Sequence, residues 1–100
     1  MLRHLAYGWR NFAREPDRES QRLNWEFFAV IKGKCGPHFM GQAPTPLQSS
    51  TLWLMPPREN YVWRGWNRPC QRAMFQFSDL PDVTTKPLKE RPYLEAPLSE

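Results

Sequence analysis

From Leu52 to Trp66 the chain reads LWLMPPRENYVWRGW, two short apolar runs (Leu52 to Met55, Tyr61 to Trp66) around a corner of Pro56, Pro57, Arg58, Glu59 and Asn60. Proline has no backbone N–H for a sheet ladder and holds φ fixed, so the tandem pair ends the first run. The residues on either side are aromatic or β-branched, types that favour an extended chain. The segment predicts strand, corner, strand. Three of the five tryptophans lie in it, so the rest of the chain has to pack around this pair.

Eleven prolines in 100 residues argue for corners rather than long helices. That length suits one small domain with a single core. The net charge of +4 is of the size solubility alone asks of a small domain, and it is weak ground for direct contact with nucleic acid. No run approaches the ~20 apolar residues of a membrane span. The start, MLRHLAYGWRN, lacks the apolar segment of a secretory signal, so the expected compartment is the cytoplasm, with no membrane partner. Cys35 and Cys70 are too few for a disulfide framework and are expected as buried thiols.

Short strands recur along the chain. A strand is expected at Tyr7 to Arg10, followed by an exposed polar connection from Ala13 to Arg22 that contains Pro16. Asn24 to Lys32 (NWEFFAVIK) is almost continuously apolar and stops at Gly33, the pattern of a strand covered on both faces. Glu26 alone interrupts it. Gly33 to Ser50 has three glycines and three prolines, hence turns with one short strand near His38 to Met40. After a turn at Asn67 to Pro69, Cys70 to Ser78 alternates Ala73, Phe75 and Phe77 against Arg72, Met74 and Gln76, the period of a half-buried strand. Leu80 onward is rich in proline and reads as an extended tail. Strands at such intervals predict an antiparallel all-β sandwich or barrel.

Two spacings resemble those of the cupins, double-stranded β-helix (jelly-roll) proteins. One cupin motif ends in glutamate, six residues and glycine; here Glu26 is followed by six residues and Gly33. The other runs glycine, five residues, proline, one residue, glycine, two residues, histidine; here Ser50 is followed by five residues and Pro56, with Arg58 at the second glycine and Tyr61 at the histidine. The first motif's two histidines would fall near Ser20 and Arg22, so of four metal ligands only Glu26 is kept. One carboxylate does not hold a transition metal against water, so no metal or other cofactor is expected.

Within the cupins the chain is similar to the N-terminal sensing half of AraC-type transcriptional regulators. The likeness rests on the order of signals from Tyr7, Gly8 and Trp9 through Arg22, Trp25 and Glu26, Pro56 and Pro57, and Trp63, to Phe75, Gln76, Phe77, Leu80 and Pro81. It implies a cupin-like sensing domain over residues 1–81 and, over 82–100, a tail or connector toward a DNA-binding domain absent from this chain. It also implies a non-catalytic role, a small-molecule effector, sugar-like in character, and a possible homodimer.

With Glu26 turned into the barrel, Phe28 and Val30 point inward, and Tyr61 brings Trp63 with it. The expected ligand-binding residues are thus Glu26, Phe28, Tyr61, Trp63 and Phe75; the alternative is that these aromatics simply fill the core. Trp25, Phe27, Ala29 and Ile31 fall on the outer face, with Trp25, Phe27 and Ile31 as interface residues unless a second sheet or the N-terminal segment covers them. Two rivals stand beside this reading. The interleaved run Trp63, Arg64, Gly65, Trp66, Asn67 and Arg68 would suit an OB-like barrel binding single-stranded nucleic acid, with Val62, Arg64 and Trp66 sharing a face. A cupin enzyme with displaced metal ligands is the other, and Cys35, His38, Cys70 and His4 are the residues a zinc site would draw on.

Overall fold

The computed structural model describes residues 1–17, 23–80 and 93–98. Seven strands are present: β1 (Leu2–Arg10), β2 (Trp25–Lys32), β3 (Cys35–Phe39), β4 (Thr51–Met55), β5 (Tyr61–Gly65), β6 (Cys70–Phe77) and β7 (Leu94–Pro97). Five of them form an antiparallel sheet in the order β1-β6-β2-β4-β7, and β3 and β5 form a two-stranded ribbon. The described residues contain no helix, and so none long and apolar enough to cross a membrane.

The corner predicted at Pro56 and Pro57 is where the chain leaves the large sheet: β4 ends at Met55 and β5 begins at Tyr61 in the ribbon. Other boundaries differ from expectation. β1 starts at Leu2 rather than Tyr7, because its whole length pairs with β6. The strand expected near His38 to Met40 runs from Cys35 to Phe39 instead, its ladder to β5 setting the limits that turn residues alone did not. Part of the expected tail belongs to the sheet, since Leu94–Pro97 pairs with Thr51–Leu54 of β4. Ser20, Arg22, Pro81 and most of the tail lie outside the described residues.

Residues directly opposite one another on paired strands share a face. Glu26, Phe28 and Val30 of β2 therefore lie with Met55, Trp53 and Thr51 of β4 and with Gln76, Met74 and Arg72 of β6. This inner face meets the ribbon, and the core is made between them: Phe28, Val30, Trp53, Met55, Cys35, Tyr61 and Trp63 are all buried. Phe28 stacks on Trp63 with centroids 3.8 Å apart and planes at 16°, and Trp53 leans on Trp63 at 5.2 Å. The two sheets meet through side chains, and an isolated bridge joins Cys35 of β3 to Gln48 in the loop before β4. Among the described residues their ladders do not join into a closed barrel, so the jelly-roll closure that the resemblance implies is not seen.

Backbone signs mark the turns. Gly33, at the end of β2, has φ +84°, and a Cβ there would stand 2.9 Å from Cys70 Cβ and 3.0 Å from its Cα. Only glycine meets both demands. The non-glycine residues with positive φ among those described are Ser50 (48°) and Arg58 (67°). They stand just before β4 and just after the tandem prolines.

Candidate ligand site beside a buried carboxyl

Glu26 is fully buried, and the reason is visible in its partners. The Tyr61 hydroxyl donates to Glu26 Oε2. The Trp63 indole Nε1–H lies 3.3 Å from Oε1 and 3.4 Å from Oε2, shared between them. A buried carboxyl is tolerable only when such donors replace water. The alternation of β5 supplies both: Tyr61 and Trp63 are two residues apart and point the same way. Sheet and ribbon are thus tied by one polar knot within an aromatic core.

Four of the five expected ligand residues, Glu26, Phe28, Tyr61 and Trp63, are brought together. They form a filled core rather than an open cavity: Phe28 and Tyr61 are 1% and 0% exposed, and rings occupy the space between them. The fifth, Phe75, is misplaced by that expectation. It pairs with Phe27 and Leu5 on the opposite face of the sheet and is 39% exposed. Alternation tells which residues of β6 share a face but not which face turns inward, and Arg72, Met74 and Gln76 took the inner one.

Open volume lies next door. A hollow of about 420 Å³ is bounded by Phe12, Asp17, Met40, Trp63 and Arg64, with Ala13, Pro16, Val62 and Gly65 completing the wall. Asp17 Oδ2 accepts the Trp63 backbone N–H at 3.0 Å, holding the Asn11–Asp17 loop against β5. Asn11 shapes that loop, its side-chain oxygen accepting from the N–H groups of Ala13 and Arg14. Trp63 belongs to both: it is part of the hollow's wall, its backbone N–H meets Asp17 and its indole N–H meets Glu26. An anionic group, a cationic group and apolar walls around such a volume suit a small polar molecule. No sequence spacing marked Phe12, Asp17 or Met40, since the loop and the β3 end meet β5 only in the fold.

The residues a zinc site would draw on are dispersed. Cys35 and Cys70 are both buried side by side; the hydrogen bond from Cys35 lowers Cys70 to about 7 against the effect of burial, with Arg72 and Arg10 adding to the lowering. The Cys35 thiol is pushed well up, by its place as donor to Cys70 and by burial. His38 Nε2 donates to the Gln42 carbonyl at 2.8 Å, and His4 sits on β1 opposite Gln76. Among the described residues no three His, Cys, Asp or Glu side chains come together as metal ligands.

The aromatic-cationic run splits in the same way. Trp63 is buried and Val62 is too, at 7% exposure, while Arg64 is exposed and shares the wall of the hollow with Val62. Trp66 stays 53% exposed, with Lys34 Nζ 4.8 Å from its ring. Trp25 and Phe27 lie on the outer face of the five-stranded sheet, where β1 joins the sheet edge through β6 instead of covering them, while Ile31 falls in the register shift between Val30 and Lys32 and is 38% exposed. No family profile, curated protein or solved structure matches this chain.

Proposed function

We propose that this chain is a non-catalytic, cytoplasmic ligand-sensing domain of the AraC type, a degenerate cupin whose metal site has become a structural knot. One observation carries the proposal. The three glycine positions quoted above have a left-handed backbone here, including the two where glycine is missing: Gly33, Ser50 and Arg58 have φ of 84°, 48° and 67°. Non-glycine residues rarely adopt that region, and doing so costs about 1–2 kcal/mol. The two spacings thus coincide with backbone of the kind glycine favours, even where the residue is not glycine. The motif's glutamate and histidine positions, Glu26 and Tyr61, are also in contact.

On this reading the effector occupies the hollow beside Trp63, with Asp17 and Arg64 as its polar partners. A ligand that presses on Trp63 changes an indole that is also bonded to Glu26 on β2, and β2 carries Trp25 and Phe27 on its far side. Binding at the hollow is thereby coupled to the outer face, and through a partner there to a DNA-binding domain. The effector's class is small and polar, with sugars first to be tried.

The experiment is a thermal-shift and tryptophan-fluorescence screen of the chain against monosaccharides and small organic acids. The expected result is a saturable rise in Tm with one class, lost in Asp17→Ala and Arg64→Ala. The rival, a nucleic-acid surface at Trp66, Lys34 and Arg68, predicts instead tight binding to single-stranded oligonucleotides with a steep salt slope, lost in Trp66→Ala. That outcome, or a screen with no response from a folded chain, overturns the proposal.

A further inference from the structure

Two nucleophilic side chains stand apart from both the hollow and the carboxyl knot. Cys35 opens β3 in the ribbon and Cys70 opens β6 in the large sheet. Both are buried as free thiols in the same core cluster, and the Cys35 S–H donates to the Cys70 sulfur. The pair therefore sits on the seam where ribbon meets sheet. β5 is already held across that seam by the bonds of Tyr61 and Trp63 to Glu26; the cysteines are the corresponding contact of β3.

Their surroundings make the two thiols unequal. Cys70 is opposite Arg10 in the β1–β6 ladder, and Arg72 follows two residues along β6. The hydrogen bond from Cys35, helped by these two cations, brings the Cys70 thiol down to about 7 against the effect of burial. Donation to Cys70 and burial push the Cys35 thiol up. A thiolate beside a protonated thiol is the arrangement of an attacking and a resolving cysteine. There is also a way in. Gly33 and Lys34, just before Cys35, and Arg68 and Pro69, just before Cys70, bound a second hollow of about 320 Å³ with Ser49 and Trp66. Gly33 abuts Cys70 so closely that a Cβ there would stand 2.9 Å from that of Cys70, and it brings no side chain to screen the thiol from the hollow.

We infer that Cys35 and Cys70 are an oxidisable pair, which hydrogen peroxide closes into a disulfide that latches β3 to β6. Cys70, as thiolate, attacks one oxygen of the peroxide; the O–O bond breaks, the other oxygen takes a proton from solvent and leaves as water, and the Cys70 sulfur is oxidised to a sulfenic acid. Cys35 then attacks that sulfur. The S–S bond forms, the S–O bond breaks, and the departing hydroxyl takes the Cys35 proton and leaves as a second water. The two thiols give up two electrons, which the one peroxide accepts. The proton that Cys35 directs at Cys70 in the reduced pair is the one this second step needs. The closed latch encloses β3, β4 and β5 in one covalent loop, which removes freedom from the unfolded chain and fixes the ribbon on the sheet. This inference does not depend on the sensing role.

The reduced full chain, treated with hydrogen peroxide without denaturant, tests it by thiol titration, intact mass and peptide mapping under non-reducing conditions. Both thiols should disappear together, with the loss of two hydrogens and a Cys35-to-Cys70 linked peptide that dithiothreitol releases. The cross-linked chain should melt about 10 °C higher than the reduced one. In Cys35→Ser the reaction should stop at a Cys70 sulfenic acid, trapped by dimedone, whereas Cys70→Ser should react at least tenfold more slowly than the parent. Disulfides only between chains, a disulfide that forms only in urea, or thiols that survive peroxide sufficient to oxidise free cysteine would each overturn the inference, and all three are read on the unmutated chain, whether or not a variant folds. A Cys70→Ser chain as reactive as the parent would overturn the choice of attacking thiol, and an unchanged Tm after cross-linking would overturn the latch.

Discussion

The two faces of the five-stranded sheet both carry large apolar side chains, yet they solve opposite problems. The inner face holds the one carboxyl of β2 and satisfies it with Tyr61 and Trp63, so that a polar group sits inside a closed aromatic core. The outer face carries no such group in its central rows, which run across the strands from Leu5 to Leu94 and from Tyr7 to Ala96, and its aromatics remain half-exposed or exposed. Burial is thus complete around the partnered carboxyl and incomplete over most of the outer face, where Leu54 is the buried exception among the central rows. What this teaches is that the carboxyl of β2 is satisfied within the chain, whereas much of the outer face is left uncovered by the described residues.

Truncating a tryptophan on each side of the sheet, Trp63 of the ribbon that packs on the inner face and Trp9 of the outer face, is the strongest way to break the contrast. Trp63→Ala should destabilise by about 4 kcal/mol, the cost of removing a large buried ring, whereas Trp9→Ala, 60% exposed, should cost under ~0.5 kcal/mol in the monomer. Urea denaturation of both variants reads the difference, and similar losses would erase it. Next in size is Glu26→Ala, expected to cost about 3 kcal/mol because it takes the shared acceptor from two buried donors. Glu26→Gln keeps an acceptor and should lose less; equal losses would mean that the knot acts through volume and not through hydrogen bonding.

The turns give a smaller and signed test. Gly33→Ala should cost about 2 kcal/mol or more, adding left-handed strain to a contact of 2.9 Å with Cys70. Arg58→Gly should go the other way and stabilise by about 0.5–1 kcal/mol, since glycine relieves the positive φ at a modest entropic cost. A destabilised Arg58→Gly would show that the arginine side chain matters more than its backbone.

A pH series probes the inner side alone. Cys70 is lowered from 9.0 to about 7, so between those values the unfolded chain binds more protons and stability rises with pH; this contribution is lost as pH falls through 7. Cys35 is raised, so above 9 the folded chain keeps a proton that the unfolded chain has released, and stability falls again. A maximum near pH 9 is expected, flattened in Cys70→Ser. The smallest effect belongs to the exposed edge, where the N-terminal amine sits 2.9 Å from Asp79 and holds its carboxyl below the usual range, with Ser78 adding a hydrogen bond. Asp79→Asn should remove a slight stabilisation present above the ordinary carboxylate pKa and lost as pH falls below it, and added salt should mask it.

Much of the site could be read from the chain before its coordinates. The spacing of Glu26 from Gly33 and of Pro56 from Tyr61 placed two strands, their corner and the inward set Glu26, Phe28, Tyr61 and Trp63, because alternation has a period of two and holds from Glu26 to Val30 and along β5, the register of β2 shifting only beyond Val30. The direction in which Phe75 points was not readable, since a strand apolar on one face packs equally well against an apolar neighbour on either side. The hollow beside Trp63 was not readable either, as Phe12, Asp17 and Met40 are distant in the chain and lie in segments without periodicity.

By itself, then, the sequence determined the strand content, the hard corner at Pro56 and the parity of β2 and β5, all of which are consequences of local sterics and side-chain alternation. Only the tertiary structure decided how the strands were shared between a five-stranded sheet and a ribbon, which face of β6 became the inside, and that Leu94–Pro97 closes the far edge. Those choices turn on pairing between residues far apart in the chain, where the free energy comes from fitting one face to another and no short stretch carries the information.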